Sequence, residues 1–513
     1  MNVTTFLDHW SLNENPFRAE EARHDPIFSR LNAGQTDHPD FEKILGDLDR
    51  PATAIVFGEK GSGKTAIRLQ IERRIRKHND ASTDRRVMLI AHDDLNPMLD
   101  RLATRLGVDD RSDEKEVIRA LKKIRLVDHM DGILHLATRR LVDVVLERAD
   151  DPILPPGDVT AALKKADPSV RLDLRLLQAV YDRDEDAPRR AAALRRRIRA
   201  PRHFGHDLWR LGSIVGWAPA ATVLVWALFF RPTESETPEP MPTWIVVTLG
   251  ALAAVWLAIL LRDGWNIWRL RTLARKLSRR LRAVQRSPES LGGALRQLAP
   301  ADRHADRLPI DNSDGRRYDM IDRLRRVLNS IGCRGVIVVM DRIDEPTLVN
   351  GDPGRMRAII WPLLNNKLLQ QEGIGFKLLL PLELRHELFR ETSDFFQEAR
   401  LDKQNLVERL NWSGAMLFDL CSARLNCCRA EGEPLSMTDI FDSDVSRQDL
   451  IDALDQMHQP RDAFKMLYQC IQDHCANVTE EQQAWRIPRH VLDTVRRQQA
   501  ERVQMFHRGV RPA

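Results

Sequence analysis

Two short stretches carry residue types that can do chemistry together. Gly58, Glu59, Lys60, Gly61, Ser62, Gly63, Lys64 and Thr65 fit the spacing G-x-x-x-x-G-K-[ST], a phosphate-cradling loop. Such a loop offers backbone N–H groups and a helix N-terminus to a polyphosphate. Lys64 would then reach the β- and γ-phosphates, and the Thr65 hydroxyl would hold Mg²⁺. Far along the chain, Val336-Ile337-Val338-Val339-Met340 ends in Asp341-Arg342-Ile343-Asp344-Glu345. An acid at the C-terminal edge of a buried strand stands where an open α/β sheet binds ligands. Asp341 would face Mg²⁺, and Asp344 or Glu345 would orient and deprotonate an attacking water.

The elements that must position these residues are legible as apolar runs. Ala54 to Phe57 reads as a buried strand before the loop, and Thr65 to about Lys77 as the helix after it. Val87 to Ala91 and Phe376 to Leu380 read as further strands, with helices at Tyr318 to Ile331 and Pro353 to Gln370. This alternation predicts an α/β fold, a parallel sheet between two helical layers. Past the last strand, Pro381, Glu383 and Arg385 occupy the place of a polar sensor, with Glu383 the candidate. The segment from Ala399 to Leu410 offers Arg400 and Arg409 as an arginine finger across a subunit interface, against the plainer reading of a solvated helix face. Residues Ser413 to Cys475 read as all-helical, and Pro460 starts a helix whose first turn carries Arg461, placed to lean toward the γ-phosphate.

Between the two chemical stretches lie two uncharged segments, Leu211 to Phe230 and Thr243 to Leu261, of twenty and nineteen residues. Each can cross a hydrocarbon core of about 30 Å. Eight arginines from Arg189 to Arg210 precede them and eight cations from Arg262 to Arg282 follow, while the connector 231–242 is Pro-rich and weakly acidic. The positive-inside rule therefore sets both flanks, and with them both termini, in the cytoplasm. Trp209, Trp217, Trp226, Trp244, Trp256, Trp265 and Trp268 lie in or near the spans, several at their ends. No ionisable residue falls within either span, so an anchor or a signal-passing element is expected rather than an ion pathway. The flanking arginines either fix topology alone or also meet anionic lipid headgroups.

Composition sets wide bounds. A chain of 513 residues with 79 Lys and Arg against 74 Asp and Glu carries a formal charge of +5, too small to indicate nucleic-acid binding by itself. The six cysteines, Cys333, Cys421, Cys427, Cys428, Cys470 and Cys475, form no C-x-x-C pair and read as free thiols of a reducing compartment. The opening Met1-to-Pro16 stretch shows no signal-peptide core. The chain divides on this reading into an entry segment 1–50, a first core part 51–125, a helical insert 126–210, the hairpin 211–261, a basic juxtamembrane helix and linker 262–317, a second core part 318–410, a lid 411–476 and a C-terminal helix and tail 477–513.

Together these residues resemble the P-loop NTPases of the AAA+ and STAND type. Asn15-Pro16-Phe17 is similar to the entry segment of origin-recognition-like ATPases, Asp341 to Glu345 resembles an extended acidic Walker B motif, and Pro460-Arg461 looks like a sensor 2 motif. In layout the chain is similar to KAP-type NTPases, whose transmembrane helices are inserted between Walker A and Walker B. The resemblance implies a P-loop NTPase sheet with a helical lid, Mg²⁺ and ATP as ligands, and slow hydrolysis. It also implies a nucleotide switch that self-associates at a bacterial inner membrane, in signalling or defence. The alternative it implies is a nucleic-acid-handling ATPase, for which the arginines Arg486, Arg489, Arg496, Arg497, Arg502, Arg508 and Arg511 would be the contact set. Nucleic acid is the less favoured partner, because the stretch from Trp485 to Ala513 is too short for a complete recognition module. A third reading, a scaffold that nucleotide only stabilises, is set against the complete acid set of Asp341 to Glu345.

Overall fold

The computed structural model of the chain describes residues 1–18, 21–31, 37–108, 113–148, 151, 153–201, 205–229, 242–430 and 433–507. The connector expected at 231–242 falls outside these residues apart from Pro242, as do Arg202, Arg508 and Arg511. The chain forms two compact units. One comprises Met1–Pro97, Val108–Ile124 and Cys333–Ala513; the other comprises Met98–Gly107 and Arg125–Gly332.

The first unit is built on a five-stranded sheet. Its strands are β1 (Ala54–Gly58), β2 (Arg86–His92), β3 (Cys333–Met340), β4 (Ile374–Pro381) and β5 (Asn405–Val407). Their spatial order is β2-β3-β4-β1-β5, and every pairing is parallel. Each residue of β1 and β4 is buried, as expected of a parallel sheet covered on both faces. The register pairs Val56 with Leu379 and Val339 with Lys377, so the C-terminal ends of β1, β3 and β4 form one edge. The fifth strand corrects the reading of Ala399 to Leu410 as a solvated helical face: Asn405 N–H donates to the Thr53 carbonyl and the segment pairs with β1. The expected helix from Pro353 to Gln370 is also corrected. It runs only over Pro353–Ile360, because Pro362 lacks the N–H needed to continue it, and Asn365 caps a short new helix at Asn366–Leu369.

A helical bundle completes this unit. The helices Gly414–Cys427, Arg447–Asp455, Pro460–Asn477 and Arg489–His507 share one apolar core with Phe6, Leu7, Leu12, Phe17 and Ile27. The N-terminal segment thus packs as part of the bundle. Asn13 N–H donates to the Cys428 carbonyl, Ala430 N–H to the Ser11 carbonyl, and the Trp10 indole to the Trp485 carbonyl at 2.9 Å. Arg424, 2 % exposed, pairs with Asp25, donates to the Pro16 carbonyl at 2.8 Å and lies 4.4 Å from the Phe464 ring centre. The cysteines are free; Cys427 is half-buried and the other five are buried.

The second unit is helical. Leu126–Val145, Pro168–Tyr181, Ala187–Arg197, Pro288–Leu295 and Gly315–Ser330 pack around a core that carries buried ion pairs. Arg190 bonds Asp182 at 2.8 Å and Asp143 at 2.9 Å. Arg317 pairs with Asp131 at 3.2 Å, and the Tyr181 hydroxyl donates to the same carboxylate at 2.9 Å. Such pairs add little net stability, because the cost of desolvating both charges offsets most of their attraction. The linker expected at the end of 262–317 is packed structure instead: Leu291, Leu295 and Leu308 are fully buried.

Two helices of this unit are long and apolar enough to cross a membrane, Trp209–Phe229 and Thr243–Arg280. The first is interrupted at Gly216-Trp217, just ahead of Pro219, and divides into Gly205–Val215 and Ala218–Phe229. The Trp256 indole donates to the Ser213 carbonyl at 3.1 Å, one turn before the break. The second runs unbroken for 38 residues and carries the basic stretch after Leu261 as its continuation.

Candidate functional site

The loop after β1 turns on two glycines. Gly61 at φ 102° and Gly63 at φ 97° hold backbone conformations that side-chained residues rarely adopt. A Cβ on Gly61 would also meet Gln459 Oε1 at 2.8 Å and Arg461 Cβ at 3.0 Å, so the first turn of Pro460–Asn477 closes directly over the loop. Gly63 caps the helix Lys64–Ala81, four residues longer at its C-terminus than the periodicity predicts. The Trp412 indole holds the loop from the other side, donating to the Ser62 carbonyl at 2.8 Å.

Asp341 follows the last residue of β3, and β4 alone lies between that strand and β1. Across this gap the Thr65 hydroxyl donates to Asp341 Oδ2 at 2.9 Å. The Asp341 carboxyl is 1 % exposed, and its burial raises its pKa despite the opposing Thr65 hydroxyl and Lys64 ammonium. Lys64 Nζ bonds the Gly58 and Glu59 carbonyls at 2.7 and 2.8 Å. Burial lowers its pKa, while Asp341, Asp344 and Glu383 favour its charge and Arg461 opposes it. All four groups therefore bear on one ammonium. Glu383, the sensor candidate, sits in the first turn of Leu382–Phe389 at the end of β4.

Arg342 takes a left-handed conformation, φ 60°, directly after Asp341, a strained backbone of the kind that concentrates at functional sites. Its guanidinium lies 3.4 Å from Glu345 and 3.7 Å from Glu21. The Glu345 carboxyl has its pKa raised, first by burial, then by Asp344 and Asp341, against the pull of Arg342. Glu59 bonds Arg409 at 2.6 Å and also accepts from the Gln459 amide. Arg409, a finger candidate, is thus engaged within its own chain; Arg400 caps Ser393–Ala399 in a left-handed conformation. Of the arginines expected for nucleic acid, Arg489 bonds Asp449 at 2.7 Å and Arg496 bonds Asp493 at 3.2 Å.

Beside the loop lies a cavity of about 450 Å³, within the size of small-ligand sites; Gly58, Glu59, Ser62, Glu383, Arg400 and Arg409 are not among its lining residues. Lys60, Gly61, Gly63, Lys64, Thr65, Asp341, Asp344, Glu345 and Arg461 face it from the sheet edge and the bundle. Phe28, Leu31, His38, Trp412 and Phe464 supply an apolar and aromatic wall. Nothing local in the sequence marks these five; they arrive from segments that only the tertiary fold brings to the loop. A polyphosphate with a divalent cation fits this donor set. Ser62 Oγ, Gln459 Oε1 and Arg461 Nε are buried without hydrogen-bond partners around the loop, and Thr65 and Asp341 present adjacent oxygens. Compared with known protein families, curated proteins and solved structures, the chain matches none.

Proposed function

We propose that this chain is a membrane-anchored P-loop ATPase switch. The observation that carries the reading is the 2.9 Å contact between Thr65 and Asp341, whose sequence separation is 276 residues. A phosphate loop and an acidic strand end that meet in this way are the two halves of a nucleoside triphosphate site. Thr65 and Asp341 would hold Mg²⁺, which when bound offsets the charge of the phosphates. The loop backbone and Lys64 bind the β- and γ-phosphate oxygens, and Arg461 approaches from the bundle, which acts as a lid. Glu345, supported by Asp344, accepts the proton of the attacking water as its oxygen bonds to the γ-phosphorus and the bond to the β-phosphate oxygen breaks. Trp412, Phe464 and Phe28 form the wall against which a base can stack. Nucleotide shifts the lid between states by binding one more tightly than the other, and that difference drives self-association. The two apolar helices, flanked by arginines, anchor the chain in a bacterial inner membrane with both termini cytoplasmic.

The purified 513-residue chain in neutral detergent is expected to hydrolyse ATP slowly and only with Mg²⁺. Glu345→Gln is expected to retain ATP binding and lower turnover by about 100-fold or more, as for loss of a general base. Thr65→Ala is expected to raise the Mg²⁺ concentration needed for half-maximal turnover. Unchanged turnover in both variants would remove the site assignment.

The Glu59 contacts give a second expectation. Glu59 joins Arg409 beside β5 to Gln459 at the start of the lid helix. Removing a side-chain hydrogen bond of this kind costs about 0.5–1.5 kcal/mol. Glu59→Ala is therefore expected to loosen the lid and speed release of a fluorescent ATP analogue by roughly 2- to 10-fold, with little change in thermal midpoint. An unchanged release rate in stopped-flow measurement would show that the contact does not restrain the lid.

A further inference from the structure

Arg269, Arg296 and Arg303 of the helical unit lie on, or just after, two helices that pack together. Arg269 is exposed on Thr243–Arg280, Arg296 caps the C-terminus of Pro288–Leu295, and Arg303 is half-buried in the turn that follows. The two helices pack closely here, since a Cβ on Gly292 would lie 3.8 Å from the Ala274 Cβ. Burial, then Arg296, then Arg269 hold the Arg303 pKa below the ordinary arginine value, and no carboxylate offsets them. Among the described residues neither Arg303 nor Arg269 has an ion pair or a hydrogen bond. The nearest acid in sequence, Asp302, is bonded by Arg307 at 3.2 Å. Elsewhere in this unit, buried arginines end on acceptors: Arg190 and Arg317 on carboxylates, Arg175 and Arg286 on backbone carbonyls. A half-buried cation held beside two others is a place for an anion.

Its position indicates which anion. Arg269 lies seven residues past Arg262, where the apolar run ends, about 10 Å along the helix axis. Trp265 and Trp268, 62 % and 58 % exposed, lie between with ring centres 5.0 Å apart. Arg262 covers the Trp209 ring at 3.9 Å. Exposed tryptophans and snorkelling arginines are side chains of the headgroup layer. We propose that Arg269, Arg296 and Arg303 bind the phosphate of an anionic phospholipid headgroup at the membrane surface nearest the helical unit. This rests on the membrane-anchor reading of the two apolar helices.

Native mass measurement of the full chain in neutral detergent, with phosphatidylglycerol or phosphatidylcholine added, tests it. Retained phosphatidylglycerol is expected in the parent protein and about a tenfold loss in Arg269→Gln and in Arg303→Gln. Arg303→Lys is expected to keep most of the binding. Arg271→Gln, which removes an exposed charge from the same helix, should retain it fully. Equal retention in all variants would overturn the proposal, as would equal retention of the two lipids. Inorganic phosphate that displaces the lipid at millimolar concentration would make this a free-phosphate site and overturn the lipid assignment. A thermal midpoint is read for each variant, so loss of fold is separated from loss of binding. Release of the chain from membranes by an alkaline carbonate wash would instead remove the anchor reading itself. A chain that stays in the membrane yet ignores these arginines fails on this inference alone.

Discussion

Lys64→Ala is expected to lower ATP turnover by about 100- to 1,000-fold, the scale for losing one preorganised charge-stabilising donor. The ammonium of Lys64 stands among Asp341, Asp344, Glu383 and Arg461, so it is the group through which the loop, the acidic strand end and the lid act on one another. Removing it leaves Asp341, already 1 % exposed, with the Thr65 hydroxyl, the Arg342 amide and the Arg68 charge as its remaining supports. Like charges at Asp341 and Asp344 then repel both each other and an incoming triphosphate. The expected signature is therefore a loss in binding as well as in rate, measured by ATP titration and by single-turnover kinetics. Lys64→Arg should not rescue it, because a planar guanidinium cannot reproduce a point donor held by the Gly58 and Glu59 carbonyls at 2.7 and 2.8 Å. Turnover within threefold of the parent in Lys64→Ala would be incompatible with a phosphate-binding role for this loop.

Much of the sheet was legible in the sequence because a strand buried on both faces must be a continuous apolar run. The four runs expected at 54–57, 87–91, 336–340 and 376–380 are all present, each extended by one to three residues. Strand β5 was not legible for the opposite reason. It has three residues, opens on Asn405 and is flanked by charges, so nothing in its composition separates it from a loop. Its place is decided by β1, which offers it an open edge. The break at Trp361-Pro362 was within reach of local reasoning, since a proline interior to a helix removes a donor. The role of residues 1–31 was not, because Phe6, Phe17 and Ile27 find their partners some 400 residues away in the bundle. The site divides along the same line. Its loop and acids follow local spacing, whereas Trp412, Phe464 and Gln459 meet the loop only because the bundle folds over it.

Lys377 leads to the other large expectation. It lies in the middle of β4, fully buried, where an apolar residue would be the ordinary choice. Its ammonium donates to the Leu45 and Ala52 carbonyls, both at 2.8 Å, and so ties the segment entering β1 to the neighbouring strand. Burial lowers its pKa to about 7 from the ordinary 10.5. The unfolded chain therefore binds more protons than the folded one between about pH 7 and 10.5, and stability rises with pH across that window. Below about 7 both states are protonated and the slope vanishes. The slope can reach about 1.4 kcal/mol per pH unit. Lys377→Met keeps the volume and removes both the titration and the two donated bonds. The Leu45 and Ala52 carbonyls then lose a buried donor, at about 1–3 kcal/mol each, while the penalty of burying the ammonium near neutral pH is lifted, so the destabilisation relative to the parent is expected to be largest toward pH 9. The substitution should also flatten the rise of the thermal midpoint from pH 7 to 9 relative to the parent. The loop at Gly58 begins four residues past Ala54, on the strand that Lys377 steadies, so ATP affinity should fall with stability. A variant that keeps the full parental pH slope would show that another group titrates in that window and that Lys377 stays charged throughout.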